Sequence, residues 1–224
     1  MDLILAVDLK KGEVVHGVSG NRDQYKPLDW GVATSTEPVA FVAALRPKYL
    51  YIADLDRIER TGSHDDIIRK ISPLVKRCYL DRGVRTPAEY LTGKNIVTII
   101  GTETAGDILG RYRNGYLSID VKNGKVIPSG RTPVDMLIEA HRLGFDGCII
   151  LSLGAVGTQK GIEPEPVLRS MRSAFPGILL YGGGVASVED LRTLERAGFD
   201  GAIVATAVHN GTIPVRWIQE GRIC

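Results

Sequence analysis

The sequence predicts a single (β/α)8 barrel of two similar halves, and three observations carry that expectation. Short apolar runs without strict alternation recur along the 224 residues, as parallel strands covered on both faces require. Segments of helical periodicity separate them. The second half then repeats the first in the same order, and a four-strand unit in tandem closes naturally into an eight-strand barrel, whereas an open doubly wound sheet must reverse direction at a switch point.

The expected strands are Leu3 to Val7, Tyr49 to Ala53, Cys78 to Leu80, Val97 to Ile100, Tyr116 to Ile119, Cys148 to Leu151, Ile178 to Tyr181 and Ala202 to Val204. The expected helices run from Pro38 to Leu45, Asp65 to Val75, Thr86 to Leu91, Pro133 to Leu143, Pro164 to Ser173 and Ser187 to Ala197. Several open on proline or on a capping Asp, Ser or Thr, which satisfy the first free N–H groups of a helix. The repeat is legible residue by residue. Ile4 to Val14 falls on Tyr116 to Val126, which sets Asp8 on Asp120 and Gly12 on Gly124. Gly83-Val84-Arg85-Thr86 falls on Gly184-Val185-Ala186-Ser187, and Ile100-Gly101-Thr102 on Val204-Ala205-Thr206. One domain over 1–224 follows, with half-barrels of about 1–112 and 113–224.

Composition narrows the function. Lys plus Arg number 28 against 26 Asp plus Glu, a balance that argues against an electrostatic nucleic-acid or membrane binder. The opening Met1-Asp2-Leu3 is too short in apolar residues and too acidic for a signal peptide, and no apolar run reaches the roughly 18 residues of a membrane span. Cys78, Cys148 and Cys224 lie far apart without metal-ligand spacing, so the reading is reduced thiols in a cytoplasmic protein with no metal. A monomer or weak homo-oligomer acting on a phosphorylated small molecule is expected.

Active groups of such barrels sit where strands end. Asp8 and Asp120 end the first and fifth expected strands, which stand opposite each other, so the two carboxylates face one another across the mouth and can serve as base and acid. The alternative is that each merely caps the turn that follows it; recurrence in both halves weakens that. Gly182-Gly183-Gly184 after the seventh strand leads into a helix, a geometry that brings main-chain N–H groups close to an anion. With Ala205-Thr206 after the eighth strand and Gly157-Thr158 after the sixth, it makes a phosphate cup at Gly157, Gly183, Gly184, Ala205 and Thr206. The matching stretch of the first half reads Asp81-Arg82-Gly83-Val84-Arg85: Asp81 would repel a phosphate, whereas Arg82 and Arg85 would attract one. A second, altered cup at Arg82, Gly83, Arg85, Gly101 and Thr102 is therefore expected. Asp54 and Asp56 are open between a site role and capping, and the polar segment Ser19 to Tyr25 suits a loop closing over substrate, with Arg22 its contact. The four histidines share no spacing. No lysine falls inside an expected strand, which leaves a Schiff-base mechanism without a nucleophile.

These motifs resemble the paired barrels of histidine biosynthesis over nearly the whole chain. Ala6-Val7-Asp8 with Gly12, Ser118-Ile119-Asp120 with Asn123-Gly124, the turn at Gly182 to Gly184, and Ile203 to Ala207 carry the likeness. The segment Val14 to Tyr25 is more similar to the ribotide isomerase than to the cyclase subunit of imidazole glycerol phosphate synthase. The resemblance implies a ribulose-phosphate-binding type of barrel and a cofactor-free Amadori rearrangement of phosphoribosylformimino-5-aminoimidazole carboxamide ribotide. Asp8 would be the base at the sugar C2, Asp120 the acid that opens the ring, and Ser152 would stand where the isomerase has a threonine hydroxyl. Two stretches depart from the family. The usual Asp-Gly-Thr after the sixth strand reads Val156-Gly157-Thr158, and the usual Gly-Gly-Gly-Ile-Arg after the third reads Asp81 to Arg85. The alternatives are a lyase or synthase for a monophosphorylated molecule, and a non-catalytic phosphate-ligand binder.

Overall fold

The computed structural model describes residues 1–112, 114–158 and 161–223. Eight parallel strands form the barrel: β1 (Asp2–Lys10), β2 (Tyr49–Asp54), β3 (Arg77–Asp81), β4 (Ile96–Gly101), β5 (Tyr116–Lys122), β6 (Gly147–Ser152), β7 (Ile178–Gly182) and β8 (Gly201–Val204). Each pairs with the next, and β8 closes on β1 through Leu3↔Ala202 and Ile4↔Ile203. Closure leaves no sheet edge exposed along the barrel.

β1 and β5 run three residues past their expected ends because each turns into a hairpin. β1 pairs with Glu13–His16 through Asp8↔Val15, and β5 pairs with Lys125–Val126 through Val121↔Val126. The turns are Lys11-Gly12 and Asn123-Gly124, all with positive φ, the two-residue geometry that matches strand twist. The same hairpin thus follows both strand-end aspartates.

Strand residues of one parity point into the barrel. Tyr49, Tyr79, Ile4, Tyr116, Ile149 and Leu180 pack there into one buried cluster, with the Tyr79 and Tyr116 rings 5.7 Å apart. The opposite parity, Leu3, Leu5, Leu50, Leu80, Leu117 and Ile150 among it, meets the surrounding helices. This packed layer fills the middle of the barrel, and the cavity at the end where the strands finish lies above it.

The helical layer is uneven. Pro38–Leu45, Pro133–Leu143, Glu165–Ala174 and Val188–Arg196 form where periodicity indicates. Glu37, Thr132 and Ser187 cap three of them, Ser187 in a reciprocal box with Asp190. The expected helix from Asp65 to Val75 stops at Ile71 and continues as a tighter turn over Ser72–Leu74, since Pro73 cannot donate to the ladder. The expected helix from Thr86 to Leu91 is corrected to a single 3-10 turn, Pro87–Glu89. Tyr90 follows it with extended backbone, φ −63° and ψ 130°, which ends the turn. Short helices at Leu55–Glu59, Thr102–Ala105, Thr206–His209 and Val215–Glu220 were not expected. Pro128 follows a cis peptide bond. Among the described residues no helix is long and apolar enough to cross a membrane. Cys78 and Cys148 are buried free thiols, and Cys224 lies outside the described residues.

Candidate active site

Inward parity and strand register together build the mouth. Asp8 is level with Ala53, and Ala53 with Asp81. Across the barrel Asp120 is level with Leu151, and Leu151 with Gly182. The two half-barrels therefore present the same tier, Asp8/Ala53/Asp81 against Asp120/Leu151/Gly182, and differ most where Asp81 stands in place of a glycine.

One cavity of about 240 Å³ occupies this end, and Asp8, Asp81 and Asp120 all line it. Asp120 is 3% exposed. It accepts hydrogen bonds from the Ser118 hydroxyl (2.8 Å), the Glu103 N–H (2.9 Å) and the Thr102 hydroxyl (3.2 Å). Burial raises its pKa to about 7 and the Asp81 charge adds to the rise, against the pull of those donors. Asp81 accepts from the Tyr51 phenol (3.2 Å) and the Gly83 N–H (3.0 Å), and burial raises it to about 6. Asp8 has no hydrogen-bond donor among the described residues. Burial carries its pKa to about 7, with Arg22 opposing and Asp81 assisting. Like charges in one low-dielectric mouth cannot all ionise together, so this set holds protons near neutral pH. That is the condition under which one carboxyl can give a proton while another takes one.

The opposite pole is built from main chain. Gly183 and Gly184 have φ values of 88° and 86° and line the cavity with Gly157, Ala205 and Thr206. A Cβ at Gly183 would strike the Ser152 carbonyl oxygen, one at Gly184 that of Gly161, and one at Gly157 that of Gly17. Sterics thus demand glycine at all three positions, and the wall there is bare backbone. Behind Thr206 stands His16, its Nε2 3.2 Å from the Thr206 hydroxyl oxygen. His209 also lines the cavity at 3% exposure, and neither of its ring nitrogens meets a hydrogen-bond partner of good geometry, although the adjacent Trp30 main chain supports its protonated form slightly. Burial lowers the pKa of both imidazoles, that of His209 to about 4. Both are therefore neutral near pH 7.

The segment after the first hairpin lies across the mouth. Arg22 grips Glu103 through two bonds of 2.6 and 2.9 Å, and the Ser19 N–H donates to the Val156 carbonyl at 2.8 Å. Gly17 is required beneath it, since a Cβ there would lie 2.5 Å from Asp8 Oδ2.

Of the expected residues, Asp8, Asp120, Arg22, Gly157, Gly183, Gly184, Ala205 and Thr206 come together around this cavity. Ser152, Arg82, Gly83, Arg85, Gly101 and Thr102 are not part of its wall. Ser152 ends β6 with its carbonyl against Gly183. Arg82 is 7% exposed and turns outward, to Asp65 Oδ1 at 2.5 Å and the Glu89 carbonyl at 2.8 Å. Arg85 donates to the carbonyls of Gly83 (2.9 Å) and Ile58 (3.0 Å). Asp54 caps Leu55–Glu59 and holds His64 at 2.7 Å, while Asp56 accepts the Lys11 N–H at 3.0 Å, so both are consumed by turns. Sequence reasoning did not find Tyr51, Glu103, Lys122, His16 and His209 in the cavity wall. Tyr51 was findable, because it shares parity with Ala53 on a strand beside Asp8. Lys122 lies at the end of β5 and is exposed. His16 and His209 meet only through the fold and carry no sequence spacing.

A family profile described as "Histidine biosynthesis protein" matches residues 2–214. The chain belongs to this family. An uncharacterized protein of Methanocaldococcus jannaschii is 33% identical over 227 residues, covering 97% of each chain. The 1-(5-phosphoribosyl)-5-((5-phosphoribosylamino)methylideneamino)imidazole-4-carboxamide isomerase of Thermus thermophilus is 29% identical, covering 96% of this chain and 97% of that one. The isomerase of the same name from Halobacterium salinarum is 30% identical, covering 92% and 90%. Isomerases of the histidine pathway are thus the named relatives of this histidine-biosynthesis barrel. Among the described residues, no group of three or more His, Cys, Asp or Glu is placed to hold a metal ion.

Proposed function

We propose that the protein is a cofactor-independent aldose–ketose isomerase that rearranges a phosphorylated aminosugar, with Asp8 and Asp120 as its acid–base pair. The observation that carries this reading is the pair of opposed carboxylates, Asp120 buried and Asp8 half-buried, both with pKa near 7, beside a glycine-walled pole suited to a phosphate. The phosphate sits against Gly157, Gly183, Gly184 and Thr206 and anchors the sugar. Asp120 gives its proton to the ring oxygen, the C1–O bond breaks, and an open-chain imine forms. Asp8 then takes the proton from C2, the electron pair moves toward nitrogen, and the enaminol that results becomes the aminoketose as C1 gains a proton and the C2 hydroxyl gives one up. A base without hydrogen-bond donors, as Asp8 is, remains available to substrate. Arg22, held over the mouth by Glu103, excludes water from these steps.

The relatives' name describes a substrate with two phosphoribosyl groups. Val156 and Asp81 in the wall favour a second reading, a lyase or synthase for a monophosphorylated molecule on the same scaffold. Turnover is to be measured on the relatives' ribotide and on a glycosylamine of ribose 5-phosphate with an uncharged amine. The isomerase reading requires conversion of one of them to the aminoketose, reduced about 10²- to 10⁴-fold by Asp8→Asn or Asp120→Asn. Conversion of neither, or conversion untouched by both substitutions, rejects it.

A further inference from the structure

We infer that Asp81 is the specificity-determining residue of this cavity: its carboxylate takes the place of a second substrate phosphate, so the ligand carries one phosphate and ends in an uncharged or cationic group. The inference rests on the phosphate pole proposed above and deepens it.

Strand register gives the first argument. Asp81 occupies on β3 the tier that Gly182 occupies on β7. At β7 the chain leaves room, and bare backbone faces the cavity. At β3 a side chain fills that room with negative charge.

The second argument is that the donors a phosphate would need in the first half are already spent on protein carboxylates. The Gly83 N–H, counterpart of the Gly184 N–H, donates to Asp81 at 3.0 Å. The Glu103 N–H and Thr102 hydroxyl, after β4, donate to Asp120 at 2.9 and 3.2 Å. The arginines do not compensate. Arg82 is bound to Asp65 and the Glu89 carbonyl, and Arg85 to two carbonyls. A phosphate entering here would have to displace a carboxylate from each donor while lying beside Asp8, Asp81 and Asp120, and such like-charge contact in a partly desolvated site is costly.

The third argument is that the two poles are unequal in what they leave unsatisfied. At the Gly183 pole neither ring nitrogen of His209, 3% exposed, meets a hydrogen-bond partner of good geometry, and the His16 ring reaches Thr206. At the Asp81 pole the carboxylate oxygens of Asp81 and Asp120 all have donors. A cavity of about 240 Å³ also falls below the roughly 300–1,000 Å³ of sites for drug-sized ligands. It suits a sugar monophosphate better than a ribotide with two phosphoribosyl groups.

Equilibrium binding of fructose 6-phosphate and fructose 1,6-bisphosphate to the purified protein at about pH 8 tests this without requiring turnover. The wild type is expected to bind the monophosphate at least about tenfold more tightly, and Asp81→Asn, which keeps the size of the side chain, to narrow the preference about tenfold. Bisphosphate binding equal to or tighter than monophosphate binding in the wild type overturns the inference and leaves the phosphate pole standing. A preference unchanged in an Asp81→Asn protein with a normal melting transition overturns the role given to Asp81. Absence of binding by either sugar rejects the phosphate pole itself, and the inference with it.

Discussion

Replacing Asp120 by Asn should make the protein more stable above neutral pH while removing its chemistry. Asp120 has a pKa near 7 in the folded chain against an ordinary 3.8. The folded state therefore holds a proton that the unfolded chain has released, and the sign follows: stability falls as pH rises from about 4 to 7 and stays lower beyond. The difference of about three pH units, at about 1.4 kcal/mol each, places the cost of the ionised carboxyl at about 4 kcal/mol near pH 8. Near pH 5 the same arithmetic leaves under about 2 kcal/mol. Asn carries no charge and offers its carbonyl to the Glu103 N–H and the Thr102 hydroxyl, and its amide to the Ser118 hydroxyl oxygen, which can rotate to accept. The figure is an upper bound, because the Asp81 charge contributes to the rise and a proton held on Asp81 lessens the cost of ionising Asp120. Urea denaturation of wild type and Asp120→Asn near pH 5 and near pH 8 is the assay. The variant should gain on the order of 2–4 kcal/mol near pH 8, and the gap should shrink toward pH 5. A variant less stable than wild type near pH 8, or a gap independent of pH, would refute the idea that burial and crowding hold this carboxyl protonated.

Gly183→Ala should destabilise by about 1–3 kcal/mol, through a strained φ and a Cβ against the Ser152 carbonyl, and should weaken phosphate-ester binding as measured by calorimetry. Asp54→Ala, which strips the cap of Leu55–Glu59 and the partner of buried His64, should cost on the order of 2–4 kcal/mol in thermal unfolding. Its binding of sugar phosphates should be nearly unchanged in the folded fraction. His16→Ala should raise the Kd for a sugar monophosphate severalfold without altering that for an unphosphorylated sugar. Arg22→Ala should raise KM more than it lowers kcat, and Glu103→Gln should do the same more weakly, since both loosen the segment over the mouth.

The barrel was legible because its signals are local and repeated. Apolar runs of strand length, proline and hydroxyl caps, and an internal alignment of Asp8 on Asp120 survive without any knowledge of contacts. The glycine turn beside the cavity was legible for the same reason: three glycines in a row between a strand and a helix leave few conformational alternatives. The expected helix after Asp81 failed because a six-residue run such as Thr86 to Leu91 has little helical stability of its own, and the chain turns extended at Tyr90. Arg82 and Arg85 could not be placed because an arginine turns toward whichever acceptor the fold brings near. The deciding acceptors, Asp65 and the carbonyls of Ile58, Gly83 and Glu89, are fixed by tertiary packing. His209 was invisible as a site residue because its burial arises from Trp30 and Phe41, whose rings stand 5.6 and 5.7 Å away and come from distant stretches of chain.

The two halves of the mouth have diverged by charge rather than by shape. The tier Asp8/Ala53/Asp81 keeps the register of Asp120/Leu151/Gly182, the hairpins after β1 and β5 are alike, and Gly83 and Gly184 both keep positive φ. What differs is the group presented there: main chain open to the cavity at Gly183 and Gly184 in one half, a carboxylate bound to a main-chain N–H in the other. A carboxylate fixed on Gly83 keeps the turn's N–H satisfied, so the loop needs no ligand to hold its form. The same carboxylate lifts the pKa of Asp8 and of Asp120. On the proposed reading Asp81 therefore acts on both binding and catalysis, refusing an anion and bringing Asp8 and Asp120 nearer to neutral pH.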